Sequence, residues 1–249
     1  MGILKKLTQE YFGNTTREED LIDIHDLNVE IVSFTDNNGK FHKKGYKPKD
    51  RDTLKKLLKR MIEVRGNEGD FNDIDTSDIK DMKLLFQFHI KFNGNITGWN
   101  VSKVTDMSGM FYGATSFNQP IGDWDVSSVT DIHYMFCNAT SFNQPIGNWK
   151  FPKVEKMNNM FSSATSFNQP IGNWKFPNVT DMSMCFYNAT SFNQPIGNWK
   201  FPNVTDMRNM FSYASSFNQD LSEWDLKGKN ITEIFDGCPI KDEYKPKMK

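Results

Sequence analysis

The sequence Ser-Phe-Asn-Gln-Pro-Ile-Gly-Asn-Trp occupies residues 141–149 and returns unchanged at residues 166–174 and 191–199. Related copies precede it at 116–124 and follow it at 216–224. The tryptophans keep one 25-residue step throughout, at Trp99, Trp124, Trp149, Trp174, Trp199 and Trp224. Two columns of Phe, aligned on Phe136 and Phe142, and one of Ile, aligned on Ile146, keep the same step. A fixed period of this length predicts an array of stacked units whose aromatic columns fill the interior.

Two periodicities alternate inside each unit. Residues 128–139 place apolar side chains at helical spacing, whereas residues 142–151 are punctuated by Pro145 and Gly147 and are typical of a short strand. A unit of 25 residues is too short for a propeller blade and fits the leucine-rich-repeat range. The predicted fold is therefore a leucine-rich-repeat-like α/β solenoid with one short parallel strand and one short helical turn per coil. An all-β right-handed solenoid is the alternative.

The flanking segments give the domain boundaries. Residues 1–49 form an N-terminal segment with a helix at 1–12 and a hairpin that turns at Asn37-Asn38-Gly39. Residues 50–73 form a helical N-cap, with an amphipathic helix that Asp52 begins and Gly66 ends. Residues 74–238 form about seven coils, the last of which aligns only after a one-residue deletion. Residues 239–249 form a charged tail that we expect to be frayed.

The repeat unit also resembles a known family. Val104-Thr-Asp-Met-Ser-Gly-Met-Phe111 followed by Ser116-Phe-Asn-Gln-Pro-Ile-Gly-Asp-Trp124 resembles the BspA-like leucine-rich-repeat surface proteins, a family of bacterial surface-protein repeats. The resemblance covers about residues 50–238. It implies a leucine-rich-repeat-like solenoid, a location at the cell surface or outside the cell, and a role in adhesion or protein–protein interaction. It implies no catalytic residues.

Composition narrows the range of functions. The 30 Lys and Arg residues nearly balance the 31 Asp and Glu residues, which argues against nucleic acid as a partner. No apolar run is long enough to insert into a membrane, and the first residues do not form a signal peptide. A cytoplasmic location, or export by another route, therefore remains an alternative. We expect no cofactor and no metal, since His and Cys show no ligand spacing.

Several columns are best explained by structure. The Asn column that includes Asn118 and Asn143 is expected to hydrogen-bond turn backbone. The acidic column, with Asp81, Asp106, Asp131, Asp181 and Asp206, is expected to cap short helices. Cys185 and Cys238 resemble small core residues, whereas Cys137 shares a column with tyrosines and is expected to be exposed.

Three columns vary between coils and are the candidate binding residues. We expect these columns to lie on the outer face, where the candidate binding residues are Tyr112, His133, Tyr134, Tyr187 and Arg208. A separate basic column adds three further candidates, Lys150, Lys175 and Lys200. Because an enzyme needs different residues that converge on one point, a linear repeat favours a non-catalytic protein-binding or adhesion module. Two alternatives stay open. One is a structural spacer or assembly subunit of a surface or virion appendage, and the other is an intracellular effector or scaffold.

Overall fold

A computed structural model describes residues 22–247, so the predicted helix at 1–12 lies outside the described residues. Strands β1 (Val29–Thr35) and β2 (Phe41–Pro48) form an antiparallel hairpin. Helix α1 spans Arg51–Arg65, and a single 3-10 turn spans Asp242–Tyr244. Neither of these described helices is long and apolar enough to cross a membrane. The rest of the described chain consists of turns and single bridge residues.

The repeats stack on one another through a ladder of parallel bridges. The bridge residues are 25 apart, as in the pairs Asp106–Asp131 and Asp131–Lys156. At the C-terminal end the step shortens to 24 residues, where Asp206 pairs with Asn230. This is the position of the one-residue deletion that the alignment of the last repeat required.

Each interface between repeats carries a row of four backbone hydrogen bonds that point the same way, preceded by one of opposite direction, such as that from the N–H of Thr130 to the carbonyl of Thr105. The N–H groups of Ile132, Tyr134, Phe136 and Asn138 donate to the carbonyl groups of Lys156, Asn158, Met160 and Ser162, at 2.8–3.1 Å. The same pattern joins every successive pair of segments from residues 82–88 through to residues 230–236. An ordinary strand pairs through both donors and acceptors along one edge. Here one edge of each segment gives only donors and the other edge gives only acceptors.

The local conformation differs from the predicted strand and helical turn. Within residues 67–238 no repeat contains an extended strand or an α-helix. Each segment of the ladder has two residues of positive φ, four positions apart, such as Tyr134 (57°) and Asn138 (56°). Left-handed residues interrupt both a right-handed helix and an extended strand. The apolar spacing of residues 128–139 therefore arises from a series of turns, which places the same side chains inside.

The aromatic columns fill the interior. Phe136, Phe142 and Trp149 are at most 3% exposed, and equivalent residues in the other repeats are similarly buried. Phe rings of successive repeats stack at 5.4–5.6 Å between centroids in the column that contains Phe136. The indole N–H of most of the tryptophans donates to a carbonyl 28 residues earlier, as Trp174 does to Ile146 at 3.2 Å. Each of these five tryptophans thus links its repeat to the preceding one, whereas the buried indole N–H of Trp124 has no partner.

The Asn column links successive repeats in the segment that lies between the second Phe column and the tryptophan. The side-chain oxygen of Asn118 accepts the N–H of Asn143, and that of Asn143 accepts the N–H of Asn168, at 2.9 Å in both cases. The structural role expected of this column is therefore present. Nearby, a Cβ atom at Gly147 would approach the carbonyl oxygen of Pro170 to 2.4 Å, so the close spacing of repeats requires glycine there.

The N-terminal elements close the first end of the stack. Helix α1 buries Leu54, Leu57, Leu58, Met61 and Val64 in the core that continues through the repeats. The side chain of Asp50, and not Asp52 as predicted, caps α1 by accepting the N–H of Thr53, and Gly66 ends the helix. The hairpin joins the ladder through a parallel bridge between Tyr46 and Ile74.

The described part of the C-terminal tail packs against the last repeat. The N–H of Leu221 donates to the carbonyl of Tyr244, and the N–H of Lys241 donates to the side chain of Asn218. Ile240 and Pro246 are buried. The tail therefore covers the part of the last repeat that contains Asn218 and Leu221.

The shortage of helix predicts a distinctive far-ultraviolet circular dichroism spectrum. We expect a weak helical signal, since α1 contributes 15 residues and the 3-10 turn contributes 3 of the described chain. A helical content well above that of α1 together with the predicted helix at residues 1–12 would contradict the turn conformation and indicate a helix in each repeat.

Candidate binding surface

The hydrogen-bonded segments present their outer side chains on one surface, here called the ladder face. It is formed by residues 83–88, 108–113, 133–138, 158–163, 183–188 and 208–213. The three variable columns of the sequence all lie on these segments. Two neighbouring side chains of each segment, such as Met135 and Phe136, belong to the core. Several members of the variable columns are buried as well, among them Ser108, Ser183 and Ser212, so only part of the variation lies on the outer surface.

Aromatic rings meet at the N-terminal end of the ladder face. Phe88 lies 4.9 Å from Tyr112, and Tyr112 lies 5.9 Å from Tyr134, between ring centroids. Phe88 is 60% exposed and Tyr134 is 37% exposed. His133 packs edge-on against Tyr134 at 5.4 Å and hydrogen-bonds Asp131. We call Phe88, Tyr112, His133 and Tyr134 the aromatic cluster.

A second, smaller group lies at the C-terminal end. Tyr187 contacts Tyr213 edge-on at 5.5 Å, and Tyr213 is 48% exposed. A hydrogen bond and the negative charge of Asp236 raise the pKa of Tyr213. Arg208 is exposed and forms an ion pair with Asp206 at 2.9 Å. Between the two groups the same columns hold small or polar residues.

Sequence reasoning missed Phe88 and Tyr213, which are the most exposed rings of the ladder face. Both belong to a column that also holds Gly113, Asn138, Ser163 and Asn188, and this column varies as much as the three that were singled out. Its variation was the available signal. Both residues have a positive φ, 57° for Phe88 and 60° for Tyr213.

The acidic column has a role different from the predicted helix capping. The carboxylate of Asp106 accepts the N–H of Ser108 at 2.8 Å, and Asp181 accepts the N–H of Ser183 in the same way. These are turns closed by the residue's own side chain. Among the described residues, no group of His, Cys, Asp and Glu side chains could hold a metal ion.

Cys137 is buried, at 5% exposure, which corrects the expectation that it is exposed. Burial raises the pKa of its thiol to about 11, and a hydrogen bond with Ser162 opposes this only in part. Cys185 is fully enclosed and Cys238 is partly buried. None of the three forms a disulfide.

The structure does not bring the basic column to the ladder face. Lys150, Lys175 and Lys200 each follow a buried tryptophan on a different segment of the repeat and are exposed. The predicted binding residues therefore separate into two surfaces. One carries the aromatic cluster with Tyr187 and Arg208, and the other carries the three lysines.

Stacked units with a shared interior and a variable outer surface define the class of this molecule as a tandem-repeat protein. Two overlapping matches, at residues 53–174 and 145–244, show that the chain belongs to the family described as Mycoplasma protein of unknown function, DUF285. No curated protein and no solved structure matches the chain.

Proposed function

We propose that this chain is a non-catalytic protein-binding module. In this proposal its repeats form a leucine-rich-repeat-like solenoid, and the ladder face is its recognition surface. A kinship with the BspA-like surface repeats, and hence a role in adhesion at a cell surface, belongs to the same proposal.

The observation that carries the proposal is the aromatic cluster. Exposed aromatic side chains supply much of the binding energy of protein interfaces, and Tyr is enriched among the residues that do so. Phe88, Tyr112 and Tyr134 come from three successive repeats, so the stack brings them together although 46 positions of sequence separate the first from the last. In the next two repeats the same columns carry Asn138, Ser163, Cys137, Ser162, Asn159 and Met184, and rings return only at Tyr187 and Tyr213. A scaffold without a partner gives no physical reason for concentrating rings there.

Repetition along a line supports a module without catalysis. Catalysis needs different groups at one point, and residues 141–149, 166–174 and 191–199 are identical. Near-identity also suits the alternative of a structural spacer. The two differ in one respect, since a spacer would tolerate the loss of the aromatic cluster.

The test is a double substitution of Phe88→Ala and Tyr134→Ala. Its matched control is Ile31→Ala with Phe41→Ala, which removes two exposed apolar side chains from the hairpin. Surface changes of this kind alter the free energy of unfolding by about 0.5 kcal/mol each. We therefore expect both variants to melt close to the wild type.

Immobilised wild type and both variants are then used to capture proteins from an extract of the source cells, with quantification by mass spectrometry. Proteins captured by the wild type and the hairpin control, but depleted about tenfold or more on the cluster variant, support the proposal. Equal capture by all three would favour the spacer.

A further inference from the structure

The basic column occupies a turn that the protein builds in two different ways. In four repeats the turn position holds Asp75, Asn100, Asp125 or Asp225, and each side chain accepts the N–H of the residue two positions later, at 3.0–3.1 Å. In the three central repeats the position holds lysine, and proline stands two positions later, at Pro152, Pro177 and Pro202.

Proline explains why lysine can stand at this turn. It has no N–H for a carboxylate or amide to accept, and its fixed φ shapes the turn without help from a side chain. Asn178 and Asn203 add support by donating to the carbonyls of Pro152 and Pro177 at 2.6 Å. The side chains of Lys150, Lys175 and Lys200 therefore have no part in holding the turn.

The charge changes abruptly at both ends of this column. The residues on either side of Trp124 are Asp123 and Asp125, and those on either side of Trp224 are Glu223 and Asp225. Between them, the three central repeats place Asn before the tryptophan and Lys after it. All of these positions are exposed. Three cationic repeats are thus bounded on each side by a doubly acidic one.

The lysines are available to a ligand. All three are exposed, and the structure records no ion pair for them with any described residue. Like charges on adjacent repeats repel one another, so an anionic group between them would be stabilised. We call Lys150, Lys175 and Lys200 the basic strip.

The spacing of the repeats indicates the shape of the ligand. The indoles that precede the last two lysines, Trp174 and Trp199, stack at 6.4 Å between centroids. Alternate side chains on one face of an extended peptide are about 6.4–6.8 Å apart. We propose that the basic strip binds an extended acidic peptide segment that runs along the stack and carries carboxylates at alternate positions, one for each lysine.

A protein segment fits better than a single-stranded nucleic acid. Nucleic acid affinity depends on many phosphate contacts and on exposed rings for base stacking. The strip has three cations, its acidic borders would repel a longer polyanion, and the neighbouring Trp174 and Phe176 are at most 2% exposed. This site is separate from the ladder face and goes beyond the proposed function.

The probe is a fluorescein-labelled peptide, Ser-Glu-Ser-Glu-Ser-Glu-Ser, and binding to the full chain is followed by fluorescence anisotropy at about 20 mM salt, where exposed charges are weakly screened. We expect the triple variant Lys150→Gln, Lys175→Gln and Lys200→Gln to bind the peptide about tenfold or more weakly, because three modest ion pairs act together. The matched control, Lys55→Gln, Lys56→Gln and Lys59→Gln, removes three exposed lysines from α1 and should bind like the wild type.

Two further probes make the test specific. A peptide with the same three glutamates in succession should bind several-fold more weakly, because only alternate residues share a face. Absent binding, an equal loss in the α1 control, or tighter binding of oligothymidylate than of the acidic peptide would each overturn the proposal. The Phe88 and Tyr134 variant should bind the acidic peptide normally, so failure of one proposal is distinguishable from failure of the other.

Discussion

Replacing Trp174 by alanine should lower the free energy of unfolding by about 3–5 kcal/mol, as expected for the loss of a large buried aromatic side chain. Trp174 is 1% exposed and stacks on Trp199 at 6.4 Å. Phe151 packs edge-on against Trp174 at 4.8 Å, and the indole N–H of Trp174 donates to the carbonyl of Ile146. The substitution would therefore leave a cavity, an unpaired carbonyl and two weakened interfaces.

Urea unfolding of three variants tests this expectation. Trp174→Phe keeps most of the ring and should cost less than Trp174→Ala, whereas Lys175→Ala, at the exposed neighbouring position, should change stability by about 0.5 kcal/mol or less. Hydrogen exchange of Trp174→Ala should show lost protection mainly in the repeats on either side, as expected for a stack held by nearest-neighbour contacts. A cost below about 1 kcal/mol would contradict the central position of the tryptophan column.

The periodic columns of the sequence predict the interior correctly because a repeated environment requires a repeated side chain. The columns that contain Trp149, Phe136 and Asn143 each keep one place in every repeat. Each member of such a column meets the same residue types in its own repeat and in the next one. The shortened last step could also be predicted, since the apolar pattern from Ile231 aligns only after a deletion.

The backbone conformation of the repeats could not be predicted in the same way. Apolar side chains three and four positions apart suit an α-helix, and they also suit a row of turns with left-handed residues at Tyr134 and Asn138. Gly and Asn, which favour positive φ, hold half of those places, whereas Tyr134, Met184 and Glu233 give little indication of it. Pairing with the neighbouring repeat holds them there, and that pairing is not visible within one repeat.

The same limit applies to the candidate site. Tyr112 and Tyr134 could be predicted to lie on one variable surface, because their columns differ between repeats. The part of Phe88 depends on its positive φ and on Gly113, where the missing Cβ leaves room for the Phe88 ring. The basic column could be recognised in the sequence as a row of like charges. That these lysines do not hold the turn is evident only from the structure, where Asp125 and Asp225, at the same position in other repeats, accept a backbone N–H of the turn.

The one-directional ladder has a consequence for the ends of the stack. The last segment holds Ile231, Glu233, Phe235 and Gly237 at the positions whose N–H groups donate forward at every earlier interface. An ordinary strand offers donors and acceptors together along its edge. Such a strand can satisfy only part of a row of donors, so this end is a poor template for the edge-to-edge pairing that leads exposed sheets to aggregate.

The first end of the stack depends on α1 instead, and Leu57→Asp should be the most damaging single change there. Leu57 is fully buried in the core cluster that includes Phe71 and Ile74. The substitution removes a large apolar side chain and buries an unpaired carboxylate, so we expect a loss of about 4 kcal/mol or more. Detachment of α1 would expose the first aromatic layer, and the protein should self-associate.

The matched control for this prediction is Lys56→Asp, the adjacent residue, which is exposed. It introduces the same side chain one position earlier in the helix and should leave the protein monomeric and nearly as stable as the wild type. Light scattering after gel filtration measures the mass of each variant, and thermal unfolding measures its stability. Because the two variants differ only in which face of α1 carries the charge, a monomeric and stable Leu57→Asp protein would show that α1 does not cap the first repeat.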